Sequence, residues 1–222
     1  MFEMMSEHNF IKKYTYNVAM PIAKVFIKIN LTANQVTFLS FISSILSAYF
    51  LIYENSPLNF CVFWLINIIL DFTDGTLARL SGKKNNGVLR VDHLTDVLKY
   101  GIIWIATGFR YLDNFIWAAV AVCCFSHLYF IILSHDFNRF LSKENNANRK
   151  LDDEQNKIMS FIYNYPLLRN IYQITLTIDG HCLFYFLVLP FGKYYAVGVL
   201  FYFSFISILR SLNIIRILSY KN

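Results

Sequence analysis

Charge is what this chain has least of. Only 15% of its 222 residues are Asp, Glu, Lys or Arg, against about a quarter in a soluble globular domain, and that shortage excludes an ordinary water-soluble fold. The net charge of +6 invites a nucleic-acid reading, but such domains cluster their basic residues on an otherwise polar surface. Here lysine and arginine fall between apolar runs, the pattern that meets anionic headgroups and phosphorylated substrates. Cysteine is equally scarce: Cys61, Cys123, Cys124 and Cys182 all lie in apolar runs, without C-x-x-C spacing. Cys124 precedes His127 by three residues and Cys182 adjoins His181, yet neither neighbourhood holds the four ligands of a structural zinc site. The thiols read as free and buried in the bilayer. A secretory leader is missing too. The first long apolar run begins near Val36, after a charged segment with no small-residue cleavage site, so that span is expected to be retained.

What is present in place of charge is apolar: 56% hydrophobic residues, 18% aromatic. An all-α integral membrane protein follows, because a helix satisfies its own backbone in lipid and about 20 apolar residues cross the hydrocarbon core. Six spans are expected, at about Val36–Tyr53, Phe60–Arg79, Asp92–Gly108, Phe115–Leu133, Gln173–Leu189 and Tyr194–Leu218. Residues 1–35 form an N-terminal segment and 36–222 a six-helix membrane domain. Between Asn9 and Asn30, Phe10, Ile11, Tyr14, Val18, Ile22, Val25, Phe26 and Ile29 recur at helical spacing while Lys12, Lys13, Lys24 and Lys28 take other positions. That pattern suits a juxtamembrane amphipathic helix lying in the interface, or equally one packed on the protein itself. Pro21 is expected to kink or split it.

Orientation follows from lysine and arginine. The N-terminal segment, the loops after spans two and four, and the C-terminal end are rich in them; the opposite side offers Arg110 and Lys193. By the positive-inside rule both termini are cytoplasmic.

Against this background Asp71-Phe-Thr-Asp74-Gly75-Thr-Leu-Ala78-Arg79 and Asp92-His-Leu-Thr-Asp96 stand out. An Asp at the centre of a spanning helix costs ~2.5–3.5 kcal/mol on insertion scales, so acids at the ends of apolar runs read as a site. Helical spacing sets Asp71, Asp74 and Ala78 on one face and Asp92 with Asp96 on the next helix. The loop 80–91 returns the chain, so four carboxylates are expected to meet at the cytoplasmic boundary. They cannot all stay ionised without cations. Hard divalent ions with oxygen ligands solve the problem, Mg²⁺ best and Mn²⁺ also, and two of them can clamp a diphosphate. Gly75 leaves room for a ligand, Ala78 permits close packing and Arg79 offers a planar fork to phosphate oxygens. The bland alternative is that some acids pair with Arg79, Lys83, Lys84, Arg90 or Lys99.

Asp71-x-x-Asp74-Gly75-x-x-Ala78-Arg79 followed by Asp92-x-x-x-Asp96 is similar to the signature of the CDP-alcohol phosphotransferases. These are membrane enzymes that move a phosphoalcohol from a CDP-linked donor to a hydroxyl and release CMP. Val88 stands where that signature has glycine, with Gly87 one place earlier. Thr32-Ala33-Asn34-Gln35-Val36-Thr37 resembles the family's Thr-Pro-Asn-x-x-Thr, with Ala33 in place of proline. The resemblance implies that Asp71, Asp74 and Asp92 ligate two metal ions, and that Asp96 ligates one and acts as base. It implies that Gly75, Ala78, Arg79, Asn34, Thr37 and Asn85 border the substrate. A CDP-linked lipid donor, a small hydroxylated acceptor, phosphatidyl transfer in phospholipid synthesis and a homodimer follow as expectations, with no nucleic-acid partner. Two other readings use the same acids: an intramembrane prenyltransferase acting on a prenyl diphosphate, and a divalent-cation transporter. Asp179, His181, Arg139, Arg149, Arg169 and Arg210 are secondary candidates, the arginines for a phosphorylated acceptor; His127 and His135 fit packing or interface roles.

Overall fold

The structure, a computed structural model, describes residues 10–53, 57–81, 91–143, 164–176 and 185–219. Among these residues the regular elements are helical, without a strand: α1 (Phe10–Lys28), α2 (Ala33–Tyr53), α3 (Pro57–Leu80), α4 (Val91–Tyr111), α5 (Asn114–Lys143), α6 (Pro166–Leu176), a 3₁₀ segment (Phe186–Phe191) and α7 (Lys193–Ser219). Helix α2 packs on both α3 and α4, α1 lies along α3, and α7 runs beside α5.

Helix α2 states the solvent. It buries Ser40, Ser43, Ser44 and Ser47 while exposing Phe38, Leu39, Ile42, Ile45 and Leu46. That is the reverse of a helix in water, and it is what lipid selects: small residues inside for close packing, large apolar ones outside. The buried hydroxyls are satisfied, Ser40 donating to Asn67 Oδ1 at 2.9 Å and Ser47 to the Phe60 carbonyl at 3.1 Å. Among the described residues four helical segments are long and apolar enough to cross a membrane: α2, α3, Asn114–Phe137 of α5, and α7. Helix α4, the expected third span, has 21 residues but carries Asp92, Asp96, Lys99 and Arg110 and is not one of them. Of the expected fifth span, residues 177–184 lie outside the described set; on either side of them are α6, described to Leu176, and the 3₁₀ segment Phe186–Phe191 with Pro190 inside it.

Local chemistry sets the joints. Helix α1 ends in a Schellman turn: Asn30 takes φ 58°, with Leu31 N–H on the Phe26 carbonyl and Asn30 N–H on that of Ile27. Two residues later Thr32 and Gln35 form a capping box that opens α2: Gln35 Oε1 accepts the Thr32 N–H at 2.8 Å, and Thr32 Oγ1 accepts the Gln35 N–H at 3.4 Å. Helix α1 runs through Pro21 without the split that was one of the two expected outcomes; the one backbone bond that proline removes falls on an exposed stretch of the helix. Its alanines, Ala19 and Ala23, are buried, while Tyr14, Val18, Val25 and Ile27 stay exposed. Small residues let α1 dock on α3, and its large apolar residues remain free for lipid.

The α4–α5 joint closes the far end of the bundle from Asp71. Asp113 Oδ1 caps α5 by accepting the Phe115 N–H at 2.9 Å and the Ile116 N–H at 3.3 Å. Its other oxygen pairs with Lys193 at the start of α7. Arg110 donates to the carbonyls of Leu51 at 2.7 Å and Pro190 at 3.1 Å, and the Tyr111 hydroxyl to Leu189 at 2.6 Å. Gly108 is required here, because a Cβ on it would lie 2.9 Å from the Trp117 ring.

The hydrogen bond from Lys193, with those from the Ile116 and Phe115 amides, holds the Asp113 carboxyl below its ordinary 3.8. A carboxyl depressed in the fold stabilises it above the unfolded pKa and loses that contribution as pH falls through the folded value. Thermal melts in detergent are therefore expected to separate wild type from Asp113→Asn at pH 5 to 7. The two should converge as pH drops below ~3.9; a gap that persists in acid would assign the effect to packing.

Candidate active site

Helix α3 carries the acids, and its neighbours decide where they point. Residues three apart on a helix differ by roughly 60° in direction, so Asp71 and Asp74 address different partners. Asp74, 7% exposed, turns to α2, where the Thr37 hydroxyl lies 2.6 Å from Asp74 Oδ2. Asp71 turns to α4. There Lys99 Nζ, 3% exposed, sits 2.5 Å from Asp71 Oδ1 and 3.2 Å from Asp96 Oδ1. The alternative of pairing with Lys99 thus holds for Asp71 and Asp96.

The expected meeting of four carboxylates at one point takes a narrower form. Asp92 lies in the first turn of α4, and its side chain is outside the described set. Among the described residues no three His, Cys, Asp or Glu side chains gather closely enough to hold a metal by themselves. Asp71 and Asp96 converge on one cation, while Asp74 stands to the side. The reason is the angle between i and i+3, which on a straight helix is enough to divide two acids between two neighbouring helices.

The donor chemistry fits a hard cation all the same. The available atoms are carboxylate oxygens, and two helices already bring a pair of them onto a single positive charge. Asp71, Asp74 and Asp96 are the described acids that could hold a divalent ion, with Asp92, one turn before Asp96 on α4, the fourth expected from the sequence.

Arg79 ends α3 with its guanidinium 4.9 Å over the Tyr16 ring of α1 and 3.3 Å from the Thr76 hydroxyl. Tyr16 in turn meets Phe72 edge-on at 5.4 Å. A Cβ on Gly75 would meet nothing but this guanidinium, at 3.8 Å and beyond. Protein packing therefore does not require glycine there, although glycine inside a helix costs about 0.5–1 kcal/mol against alanine. The space in front of Arg79 is kept open at that cost.

One turn beyond Asp74, Ala78 lines an open cleft of about 370 Å³ with Leu77, Ser81, Asn30, Thr32 and Asn34. The capping box explains what Asn34 is free to do: Thr32 and Gln35 close the helix end between them, and Asn34 is exposed at the cleft. Asn34 and Ala78, distant in sequence, are brought to one cleft; Thr37 is spent on Asp74. Asn85 lies outside the described residues, as do Gly87, Val88, Arg149, Asp179, His181 and Cys182, and the Arg139 side chain. Residues 30–207 match the model of the CDP-alcohol phosphatidyltransferase family. The chain belongs to this family. It is accordingly an integral membrane transferase of the class that serves phospholipid synthesis. No curated protein matches it.

Several other placements bear on the family site. Arg169 Nε on α6 is buried with no hydrogen-bond partner among the described residues, and Arg210 lies over the Phe130 ring at 5.6 Å. His127 is packed among Tyr100, Trp104 and Phe203. His135 is exposed, and Cys61, Cys123 and Cys124 are free thiols. Sequence reasoning did not find Tyr16 or Asn67. Tyr16 reads as one more apolar residue of an amphipathic helix, and Asn67 as an isolated amide in a spanning run. A polar side chain one helical turn before Asp71 was the available signal for Asn67.

Because the ring face of Tyr16 meets Arg79, Tyr16→Ala is expected to lower transferase activity several-fold, in line with the ~0.5–1 kcal/mol of an exposed cation–π contact. Tyr16→Phe should keep most of it. Equal losses in the two variants would transfer the effect to the hydroxyl.

Proposed function

We propose that this protein transfers the phosphatidyl group of CDP-diacylglycerol to the hydroxyl of a small acceptor, releasing CMP. The observation that carries the proposal is the adjacency on α3 of three features: the Asp71–Asp96 pair, the open space between Gly75 and Arg79, and the cleft at Ala78 and Asn34. A nucleotide in the cleft would lie against the N-terminus of α2, whose first amides favour an anion. Its diphosphate would then run past Gly75 and Arg79 toward the acids.

Each residue has a task in this reading. Asn34 and Ala78 border the CDP moiety, and Thr37 fixes Asp74 in place. Asn85 borders the nucleotide from the loop. Asp71, Asp74, Asp92 and Asp96 hold one or two divalent cations, Mg²⁺ or Mn²⁺. What the bound cation supplies is neutralisation of the diphosphate and polarisation of its phosphorus. Asp96 takes the proton from the acceptor hydroxyl as that oxygen bonds to the β-phosphorus. The bond from the β-phosphorus to the bridging oxygen breaks, and CMP leaves with its electron pair beside Arg79. The acids face the cytoplasm, the side from which a soluble nucleotide arrives. Engagement of Arg110 with backbone carbonyls and of Lys193 with Asp113 supports this orientation, since both cations at the opposite end serve structural partners. The family likeness extends the proposal to a homodimer.

Purified protein given radiolabelled CDP-diacylglycerol and a panel of acceptors should release CMP only with a divalent cation, and Asp96→Asn should abolish turnover. Pyrophosphate release from a prenyl diphosphate would favour the prenyltransferase reading, and nucleotide-independent cation flux in vesicles the transporter. Unchanged turnover in Asp96→Asn would remove Asp96 from the role of base. Gly75→Ala should leave the melting temperature equal or higher while raising KM for the CDP-linked donor about tenfold or more, the ~1.4 kcal/mol of one obstructed phosphate contact. A KM that does not move would show that the space serves another purpose.

A further inference from the structure

Lys99 has no place in the tasks set out above, yet it occupies the centre of the site. Its ammonium is almost wholly buried and lies between the two carboxylates that converge from different helices, 2.5 Å from Asp71 Oδ1 and 3.2 Å from Asp96 Oδ1. Trp64, Asn67, Ile68, Phe72 and Tyr100 line, with the three charged groups, a small cavity of about 40 Å³, in which Lys99 is buried while the Asp71 and Asp96 side chains stay 38% and 37% exposed. A lysine buried in a span is costly unless paired, so its presence calls for a specific role.

We propose that Lys99 is a resident counter-cation that competes with divalent ions for Asp71 and Asp96, and so sets how tightly and in what number the site binds them. The inference rests on the metal-dependent reading of the site. An ion that takes Asp71 Oδ1 must share this oxygen with the ammonium or displace it, and sharing sets a second positive charge beside an ammonium that is itself shielded from water. Displacement has somewhere to go. Lysine is a flexible point charge on a four-carbon stem, and the cavity beside it carries the Asn67 amide. Lys99 therefore acts as a positioning residue: it ties α4 to α3 through Asp71, steadies Asp96 on its own helix, and yields both carboxylates when a divalent ion enters.

The test uses the full-length protein in detergent, with Mn²⁺ alone as probe. Titration followed by electron paramagnetic resonance counts bound ions and their Kd without any turnover. Wild type should bind Mn²⁺, and both Lys99→Met and Lys99→Gln should bind it at least tenfold more tightly or bind one ion more. Melting temperatures should move in parallel: lower than wild type without Mn²⁺, with a larger rise on adding it. Lys99→Gln keeps length and a donor, so it serves if Lys99→Met does not fold. Equal affinity and number in wild type and both variants would overturn the role of Lys99 while leaving the metal site standing. Weaker binding in the variants would overturn it too, by making Lys99 part of the site's assembly. Absence of Mn²⁺ binding in wild type and variants alike would instead remove the metal-dependent reading on which the inference stands.

Discussion

The three-charge contact of Asp71, Lys99 and Asp96 is the constraint around which the rest is arranged. Each group alone would be expensive at this depth; together they leave one uncompensated negative charge that a ligand can meet. Their proximity links α3 to α4 across the face of α2, the helix that packs on both. The serine face of α2 makes this approach practical, because Ser40, Ser44 and Ser47 bring backbones close where leucines would hold them apart. Close packing of apolar helices is thus what lets a polar site exist at all.

Two ends of the bundle divide the work. At the far end, caps and side chains consume carbonyls and charges: Asp113 on α5, Arg110 on two carbonyls, Lys193 on Asp113. At the acid end the reverse holds, with an open cleft at Ala78 and Asn34, a glycine that packing does not require, and an arginine held by ring stacking alone apart from Thr76. Stability concentrated at one end leaves the other able to receive a charged substrate, which suits a transferase that must admit both a nucleotide and a lipid. Helix α1 belongs to that receiving end, since its Tyr16 and its Schellman turn at Asn30 form part of the wall.

The family was legible as a resemblance in Asp71-x-x-Asp74-Gly75-x-x-Ala78-Arg79 and Asp92-x-x-x-Asp96, where acids stand at the ends of apolar runs. So were the four strongly apolar spans, and the caps fell at Thr32 and Asp113, beside the run boundaries. Less legible was the 3₁₀ form of Phe186–Phe191 at the end of the fifth apolar run, which contains Pro190. Pro21 did not split α1, since one lost backbone bond on an exposed stretch does not interrupt a helix.

From sequence alone came the membrane, the helices and the acidic residues, since each depends on composition or on neighbours within a turn. Only the tertiary structure decided how the acids are shared out. Spacing set Asp71 and Asp74 on one broad face, but ~100° per residue also leaves them angled apart, and which helix lies on which side is a long-range fact. Packing gave Asp74 to Thr37 and Asp71 to Lys99, and it selected Lys99 from the several basic residues that could have paired with the acids.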